Sequence, residues 1–340
     1  MPFPRTPHVP ALAAAVALCL ALAACGGGDE QPAAPDGTAA SAPRAEVSGN
    51  PDTWPLTGLM VQGGTSVRKH PVLVLKMDNT PSSDPQLGLG SADLVVEELV
   101  EGGVTRLAAF YYSTIPGVVG PVRSMRASDI GIVSPVDGDM VTSGAASVTI
   151  QRIEAAGIDY YTEGSPGFFR DSSRYAPYNL FTDMGEVAKA AEGVPGRPVD
   201  YLPFGPDDDL PAGQPATSVR ARFSPGHTTT WSYRDGSYVN VDGYAADGDA
   251  FPADTVLVLR VKVGDAGYRD PAGNPVPETV LKGSGDAMLF HGGRLVRGTW
   301  GKSSLDSPIK LTTRAGALDV PPGHTWIELV PAATGDVTFD

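Results

Sequence analysis

The N-terminus carries a short leader that limits how the rest of the chain can fold. Arg5 and His8 precede an apolar run at residues 11–25, ALAAAVALCLALAAC, which is too short for a comfortable transmembrane helix. The run ends in LAAC at residues 22–25, the pattern of a bacterial lipobox. This pattern predicts cleavage before Cys25 and attachment of a diacylglyceryl group, with further acyl chains such as palmitate, to that cysteine. The alternative is an ordinary secretory leader with a cysteine at this position by chance.

Cleavage before Cys25 would also decide how the folded part is stabilised. The chain has two cysteines, and the other one, Cys19, leaves with the leader. The mature chain then has no disulfide, so the packing of an apolar core must stabilise it. Residues 25–53 are rich in Gly, Ala, Pro and polar side chains, which predicts a flexible acylated tether. We expect the mature protein on the extracytoplasmic face of the cell membrane, held there by its lipid.

The charge balance excludes one large class of partners. The formal net charge is -14, so the basic surface that nucleic acid requires is missing. The five histidines show no H-E-x-x-H spacing and no pairing along the sequence, and the aspartates do not fit a calcium loop. We therefore predict no nucleic-acid partner, no metal site and no cofactor.

Two regions of different character follow the tether. Apolar runs alternate with helix-like segments in the first region, whereas the second has mostly strand and hairpin patterns. The predicted fold is of the mixed α+β class, with these parts: a lipoprotein signal peptide (1–24), the tether (25–53), an N-terminal α/β domain (54–200), a linker (201–216) and a smaller, mostly-β C-terminal domain (217–340).

Local patterns predict the main elements of both regions. In the first region they indicate a buried strand at 71–79, a hairpin over 92–112, and helices at 122–133, 147–158 and 185–193. In the second region they indicate hairpins over 228–242 and 286–300 and strands at 254–263 and 324–331. A helix competes with the strand at 92–100, because Glu and Leu are good helix formers.

The segment GVVGPVRSMRASD at residues 117–129 holds the strongest candidate for a binding site. Arg123 and Arg126 flank Ser124 and would lie in the first turn of the predicted helix, where cations oppose the helix dipole. Two arginines are favourable there if an anion neutralises them, because guanidinium groups and helix N–H groups together bind phosphate or carboxylate well. The anion is either an external ligand or an internal carboxylate, with three candidates: Asp129, Glu97 and Glu98.

Charged residues in and beside the predicted strands extend this candidate site. If 94–100 is a strand, Glu97 and Glu98 lie inside a sheet together with Arg106, and charges in that position must be paired. A structural Glu–Arg pair competes with a functional reading, in which one glutamate is an acid of raised pKa near the arginines. Asp78 and Asn79 end a predicted strand, a place where α/β sheets often bind ligands.

The stretch GFFRDSSRYAPYNLFT at residues 167–182 predicts the wall of a pocket. It places polar groups next to aromatic side chains, as ligand pockets do. The polar candidates for ligand contact are Arg170, Asp171, Arg174 and Asn179. A long surface loop anchored by its aromatic residues is the alternative.

Five stretches together resemble a known family, the YerB-like lipoproteins of domain of unknown function 3048 (DUF3048). They are DLVVEELVEGGVTRLAAFY, GPVRSMR, FFRDSSRYAPYNLFT, LVRGTW and PPGHTWIELVP. In the third stretch the family usually reads R-K-A-P-H-N-L-Y-T, and this chain has Tyr175, Tyr178 and Phe181 where that pattern has Lys, His and Tyr. The resemblance covers roughly residues 55–335 and implies a two-domain lipoprotein of the cell envelope.

These observations favour a membrane-anchored, non-catalytic binding module. Its partner would be an anionic envelope ligand or a cell-wall assembly protein. One alternative is an envelope hydrolase or transferase acting on a phosphate- or carboxylate-bearing substrate, with Glu97, Glu98 or Asp171 as general acid or base. The other alternative is a structural spacer with all its charges paired internally.

Overall fold

The computed structural model describes residues 50–193 and 195–340. The predicted leader and the lipidation site Cys25 lie outside the described residues, as does the tether up to residue 49. Among the described residues, no helix combines the length and the apolar character that crossing a membrane requires.

Strands are the main regular element of the described chain. In chain order they are β1 (Leu73–Asn79), β2 (Leu94–Leu99), β3 (Thr105–Tyr111), β4 (Val118–Val119), β5 (Asp139–Val141), β6 (Tyr160–Tyr161), β7 (Phe168–Arg170), β8 (Leu180–Asp183), β9 (Gln214–Pro215), β10 (Ser218–Ser224), β11 (His227–Arg234), β12 (Ser237–Asn240), β13 (Thr255–Arg269), β14 (Pro275–Val280), β15 (Gly283–His291), β16 (Arg294–Lys302), β17 (Lys310–Thr313), β18 (Gly316–Ala317), β19 (Thr325–Pro331) and β20 (Asp336–Phe339).

Three short α-helices and several single 3-10 turns connect these strands. The helices are α1 (Asp129–Val133), α2 (Ser147–Ala155) and α3 (Met184–Ala190). The Asp183 side chain caps α3 by accepting hydrogen bonds from the backbone N–H groups of Gly185 and Glu186. The fold is therefore mostly β with few helices. This confirms the predicted mixed class only in part, because the first region contains less helix than the sequence predicts.

One large mixed sheet joins both regions of the sequence. Its main strand order is β18-β17-β16-β15-β13-β19-β2-β3-β1-β5-β6, with β14 on β13 and β9 on β16. The C-terminal strand β19 lies between β13 and β2 and runs parallel to both. A four-stranded sheet, β12-β11-β10-β20, and a three-stranded sheet, β4-β8-β7, complete the described architecture. The two predicted domains thus contribute neighbouring strands to a single sheet.

Alternation along the central strands gives this sheet two buried faces. On one face, Val74, Leu94 and Val96 pack with Ile130 and Ile153 from the helices; this is the α1–α2 face. On the other face, side chains of β1, β2 and β3 pack with residues of β10 and β11; this is the β10–β11 face. Lys76 and Glu98 point to the α1–α2 face because they alternate with residues of the other core, while Asn79 and Glu97 point to the β10–β11 face.

The predicted helix at 122–133 is wrong over its first half. Residues 122–126 belong to no helix, because the backbone N–H groups of Val122 and Arg123 bond to the carbonyls of Leu180 and Lys76 at 2.7 and 2.8 Å. Tertiary hydrogen bonds therefore override the local helix signal. Arg123 therefore lies before any helical turn. Arg126 starts the turns that lead into α1, where its carbonyl accepts from the Asp129 N–H at 3.0 Å and its own N–H donates to the Asp129 carboxylate at 2.6 Å. An internal carboxylate thus already occupies the start of this helix.

The segment predicted as a linker, 201–216, packs against the rest of the chain. Tyr201 and Leu202 are buried in the α1–α2 face, and the Tyr201 hydroxyl donates to the Ile132 carbonyl at 3.0 Å. Farther along, β9 pairs with β16. By contrast, the other predicted elements are present, including the β11–β12 hairpin, whose turn places Asp235 and Gly236 at φ values of 51° and 92°.

Candidate functional site

Arg123 has an internal partner at the end of β1. Its Nη1 atom donates to Asp78 Oδ2 at 2.5 Å, and its guanidinium lies 4.9 Å from the ring centroid of Tyr178. The backbone N–H of Thr80 donates to the other Asp78 oxygen at 3.0 Å. Because the carboxylate is already engaged on both sides, it holds the arginine in place without any ligand.

Arg126 and Arg106 share a second carboxylate, Glu101. Arg126 Nε donates to Glu101 Oε2 at 2.9 Å and its Nη2 donates to Oε1, while Arg106 Nη2 lies 3.3 Å from Oε1. Burial favours a higher pKa for Glu101, but the Arg126 hydrogen bonds and the Arg106 charge outweigh it and lower that pKa. Burial and then the charge of Arg126 lower the pKa of Arg106 to about 10. Arg106 Nη1 also donates to the Ser124 carbonyl at 2.7 Å.

The internal carboxylates differ from those that the sequence indicates. Asp129, Glu97 and Glu98 were the candidates, whereas Asp78 and Glu101 make the contacts. Glu98 and Asp129 instead flank the ammonium group of Lys76 at 2.7 and 2.9 Å, and all three side chains are fully buried on the α1–α2 face. Burial raises the pKa of Asp129 to about 6, against the opposing effect of Lys76.

The arginines of the 167–182 stretch make their hydrogen bonds outside the Asp78 and Glu101 pairs. Arg170 makes two bonds to Glu163, at 2.6 and 2.5 Å, and one to Asn179 at 2.7 Å, and these groups are exposed. Arg174 lies 3.7 Å from Asp171. It also donates to the carbonyls of Ser83 and Pro85 at 3.2 and 2.6 Å. The structure thus gives each of these arginines a protein partner, and their binding role stays a prediction.

The β10–β11 face holds a cluster centred on Glu97, of which the sequence indicated only Glu97 and Asn79. This carboxylate is fully buried and accepts hydrogen bonds from side chains of five residues: Asn79 (3.0 Å), Thr105 (2.7 Å), His227 (2.8 Å), Thr229 (2.9 Å) and Trp326 (3.2 Å). The cluster therefore joins the end of β1, the β2–β3 hairpin, β11 and β19.

Burial and ion pairing shift the pKa values of Glu97, His227 and Glu328 in different directions. Burial lowers the pKa of His227, but its hydrogen bond and ion pair with Glu97 outweigh burial and raise it. The same contacts lower the pKa of Glu97 against the effect of burial. Glu328 lies beside Glu97 in the strand register, and burial together with the Glu97 charge raises its pKa well above the ordinary value. These directions favour an ionised Glu97 and a neutral Glu328, whose Oε1 accepts from Trp231 Nε1 at 2.7 Å.

A cleft opens above this cluster, and we call it the Asn79 cleft. It consists of two adjoining cavities of about 90 and 110 Å³ that share four lining residues: Asn79, Asn240, Gly243 and Tyr244. The first cavity also contacts Gln86 and Trp326, and the second reaches His227 and Asp242. Among the described residues, no lysine or arginine lines either cavity.

The chemistry available in the cleft is hydrogen bonding. The hydroxyls of Thr105 and Thr229 both contact Glu97 and are at most 3 % exposed, so neither is an accessible nucleophile. In the part of the chain that the structure describes, no group of three or more His, Cys, Asp or Glu side chains is arranged to hold a metal ion. The exposed polar groups of the cleft can instead donate to and accept from a bound molecule.

Comparison with known families identifies the chain. A family model described as the N-terminal domain of "Protein of unknown function (DUF3048)" matches residues 56–196. The C-terminal domain model of the same family matches residues 219–327. The chain belongs to the DUF3048 family. This confirms the resemblance carried by the five sequence stretches.

This DUF3048 chain has two matches that carry the name YerB and come from Bacillus subtilis, one by sequence and one by structure. One, from strain 168, is named "Putative lipoprotein YerB"; it is 28 % identical over 289 residues, which cover 82 % of this chain and 86 % of the relative. A crystal structure of the YerB protein matches with a TM-score of 0.70 and 22 % identity, covering 84 % of this chain and 99 % of the other. The second match shows that the two proteins share a fold.

Sequence reasoning missed His227 and Glu328. Only His227 has a local signal in the sequence that points to it. Because side chains alternate along a strand, His227, Thr229 and Trp231 share one face of the predicted 228–242 hairpin and its first flanking residue. A histidine and a threonine in line with a tryptophan indicate a polar group at the edge of a core. The partner, Glu97, lies 130 residues away, so no spacing rule connects the two.

Proposed function

We propose that this DUF3048 chain is a lipid-anchored lipoprotein on the extracytoplasmic face of the bacterial cell membrane, and that its folded part is a non-catalytic binding module. The lipobox at residues 22–25 and the name of the YerB relative support the anchor. The open Asn79 cleft supports the binding role and is its proposed site. The proposed ligand is a component of the cell envelope.

The proposal rests on which polar groups already have a partner within the protein. Asp78 and Glu101 already neutralise Arg123 and Arg126, so an anionic ligand would have to displace a carboxylate from either arginine. In the Asn79 cleft the situation is reversed. Gln86 and His227 line its cavities, and no hydrogen bond within residues 50–193 and 195–340 engages Gln86 Oε1 or His227 Nδ1.

An enzyme is the second candidate, and the paired groups below the cleft are the observation that favours it. A carboxylate that orients a histidine is a common acid–base arrangement, and here Glu97 holds His227 Nε2 at 2.8 Å. His227 Nδ1 would then exchange a proton with a substrate in the cleft. The hydroxyls that contact His227 Nε2 are those of Thr105 and Thr229, at 2.9 and 3.3 Å, and both residues are at most 3 % exposed. A substrate in the cleft cannot readily reach them, which is why binding is the better-supported function.

The anchor and the binding site can be tested together on the full chain. Cells that express the wild type with labelled palmitate should yield a labelled protein that enters the detergent phase, whereas Cys25→Ala should carry no label. The wild type, purified in mild detergent, should then sediment with isolated cell walls. Asn240→Ala, which removes a half-buried amide from the cleft, should reduce the sedimented fraction several-fold.

Asn274→Ala serves as the matched control, because Asn274 is an exposed asparagine in the turn between β13 and β14. It should sediment like the wild type. A labelled Cys25→Ala chain would contradict the anchor. Equal sedimentation of Asn240→Ala and wild type, or no sedimentation of either, would contradict a binding module that acts on the wall through this cleft.

A further inference from the structure

The Asn79 cleft has the chemistry of a carbohydrate site. We propose that it binds one neutral, N-acetylated sugar ring of a larger glycan, an inference that rests on the binding role proposed above. Size, hydrogen-bond pattern, apolar surface and charge each contribute to this choice.

The size of the cleft fits a single ring. Its two cavities measure about 90 and 110 Å³. Sites for drug-sized ligands usually measure roughly 300–1,000 Å³. The cleft is therefore too small to enclose an oligomer, and it can hold one ring while the rest of a chain extends into solvent.

Donors and acceptors alternate around the cleft. Asn240 Oδ1 accepts from the Asp242 backbone N–H at 3.2 Å, which leaves its amide N–H groups directed elsewhere. Gln86 is 1 % exposed; its Nε2 donates to the Asp78 carbonyl at 2.7 Å, and its Oε1 has no partner among the described residues. Together with the hydroxyl of Tyr244, these groups can pair with the hydroxyls of a sugar, each of which both donates and accepts.

Small apolar groups lie beside these amides. Leu89, Ala245 and Ala250 line the first cavity, next to the rings of Phe251 and Trp326. An acetamido substituent has an amide that needs a polar partner and a methyl group that needs an apolar one. The first cavity offers both within one wall, which favours an N-acetylated ring over a plain one.

The charge of the cleft argues against an anionic ligand. Asp242 lines the second cavity, and His227 Nε2 is already paired with Glu97. A ligand carboxylate or phosphate would therefore meet a carboxylate and no free cation among the lining residues. A neutral ring avoids this repulsion.

The cleft is also held in shape before any ligand arrives. Gln86 N–H donates to the Tyr244 carbonyl at 2.6 Å and Ala246 N–H donates to the Gln86 carbonyl at 2.9 Å, which ties the wall at 243–251 to the β1–β2 connection. The Asp249 carboxylate accepts from the Gly88 and Gly90 backbone N–H groups, the latter at 3.0 Å. A site that is already ordered loses less entropy on binding.

Calorimetric titration of the full chain in mild detergent tests this assignment. The probes are three trisaccharides: tri-N-acetylchitotriose, which is neutral and acetylated, maltotriose, which is neutral without acetyl groups, and trigalacturonic acid, which is anionic. We expect saturable binding of tri-N-acetylchitotriose and at least about tenfold weaker binding of the other two. Asn240→Ala should weaken the first probe about tenfold, and Asn274→Ala should leave it unchanged.

Each outcome either supports or overturns the proposed sugar site. Absence of saturable binding of tri-N-acetylchitotriose by the folded chain would overturn the proposal. So would tighter binding of maltotriose or of the uronic acid, or binding that Asn240→Ala does not weaken. If the chain still sediments with cell walls through the cleft but ignores tri-N-acetylchitotriose, the sugar assignment fails while the binding module stands. If sedimentation fails as well, both proposals fail.

Discussion

Lys76→Met should lower the free energy of unfolding by about 3–5 kcal/mol, the usual cost of removing one partner from a buried ion pair. Lys76 lies between Glu98 and Asp129, at 2.7 and 2.9 Å, and none of the three side chains is exposed to solvent. Methionine fills a similar volume but leaves two carboxyl groups buried without a cation. Urea unfolding at pH 7, followed by tryptophan fluorescence, measures the loss.

Two further variants separate lost charge from lost packing. Lys189 is 68 % exposed and pairs with Glu186 on the surface, so Lys189→Met should leave the unfolding free energy almost unchanged. Adding Glu98→Gln and Asp129→Asn to Lys76→Met should restore much of the stability, because no uncompensated charge then remains. A single variant as stable as the wild type would show that the triad is not what stabilises this part of the core.

Lys302→Met should stabilise the chain at pH 6, by an amount on the order of 3–5 kcal/mol that shrinks as the pH rises. Lys302 is 4 % exposed, and its ammonium group donates to the Gly131 carbonyl at 2.5 Å. Around it lie apolar side chains that include Leu281, Ile309 and Ile327. Burial lowers its pKa from 10.5 to about 7, with only partial compensation from Asp306.

The sign of the pH dependence follows from proton binding. Between pH 7 and 10.5 the unfolded chain keeps the Lys302 proton that the folded chain has released, so the contribution of this lysine to stability rises with pH. Below pH 7 both states hold the proton and the full cost of burying a charge remains. Thermal unfolding of wild type and variant at pH 6 and pH 9 tests this. The exposed Lys310 provides the control in Lys310→Met, and equal stability of Lys302→Met and wild type at pH 6 would contradict the prediction.

The strands of the fold could be predicted from local pattern, because the alternation of apolar and polar side chains and the turn residues both lie within short stretches of sequence. The hairpins at Gly102, at Asp235 and Gly236, and at Gly292 and Gly293 follow from glycines and aspartates that tolerate positive φ. The placement of β19 between β13 and β2 could not be predicted in this way, since it depends on contacts between residues more than 200 positions apart. The helix prediction over 122–126 failed for the same reason, because carbonyls of distant residues hold this segment in a non-helical conformation.

For the candidate site, only the need of its buried charges for partners could be predicted from the sequence. Buried charges at Glu97, Glu98 and Arg106 required partners, and the structure supplies them. Which partner each one has depends on the face to which its strand points, and Glu97 and Glu98 point to opposite faces because they are adjacent in one strand. The register that sets Glu328 beside Glu97, and the hairpin that brings in His227, arise from the packing of the whole chain.

A phosphate titration of thermal stability tests most directly whether the arginines are structural. The full chain in mild detergent would be compared with Arg123→Ala/Arg126→Ala at matched ionic strength. Because phosphate is a general stabilising salt, a small rise in Tm that is equal in both proteins is expected, together with a lower Tm of the variant at every concentration. A site for phosphate would instead add roughly 2.7 kcal/mol of stability at a hundred times its Kd. A rise of that size in the wild type alone would contradict the account and return the binding site to the arginines.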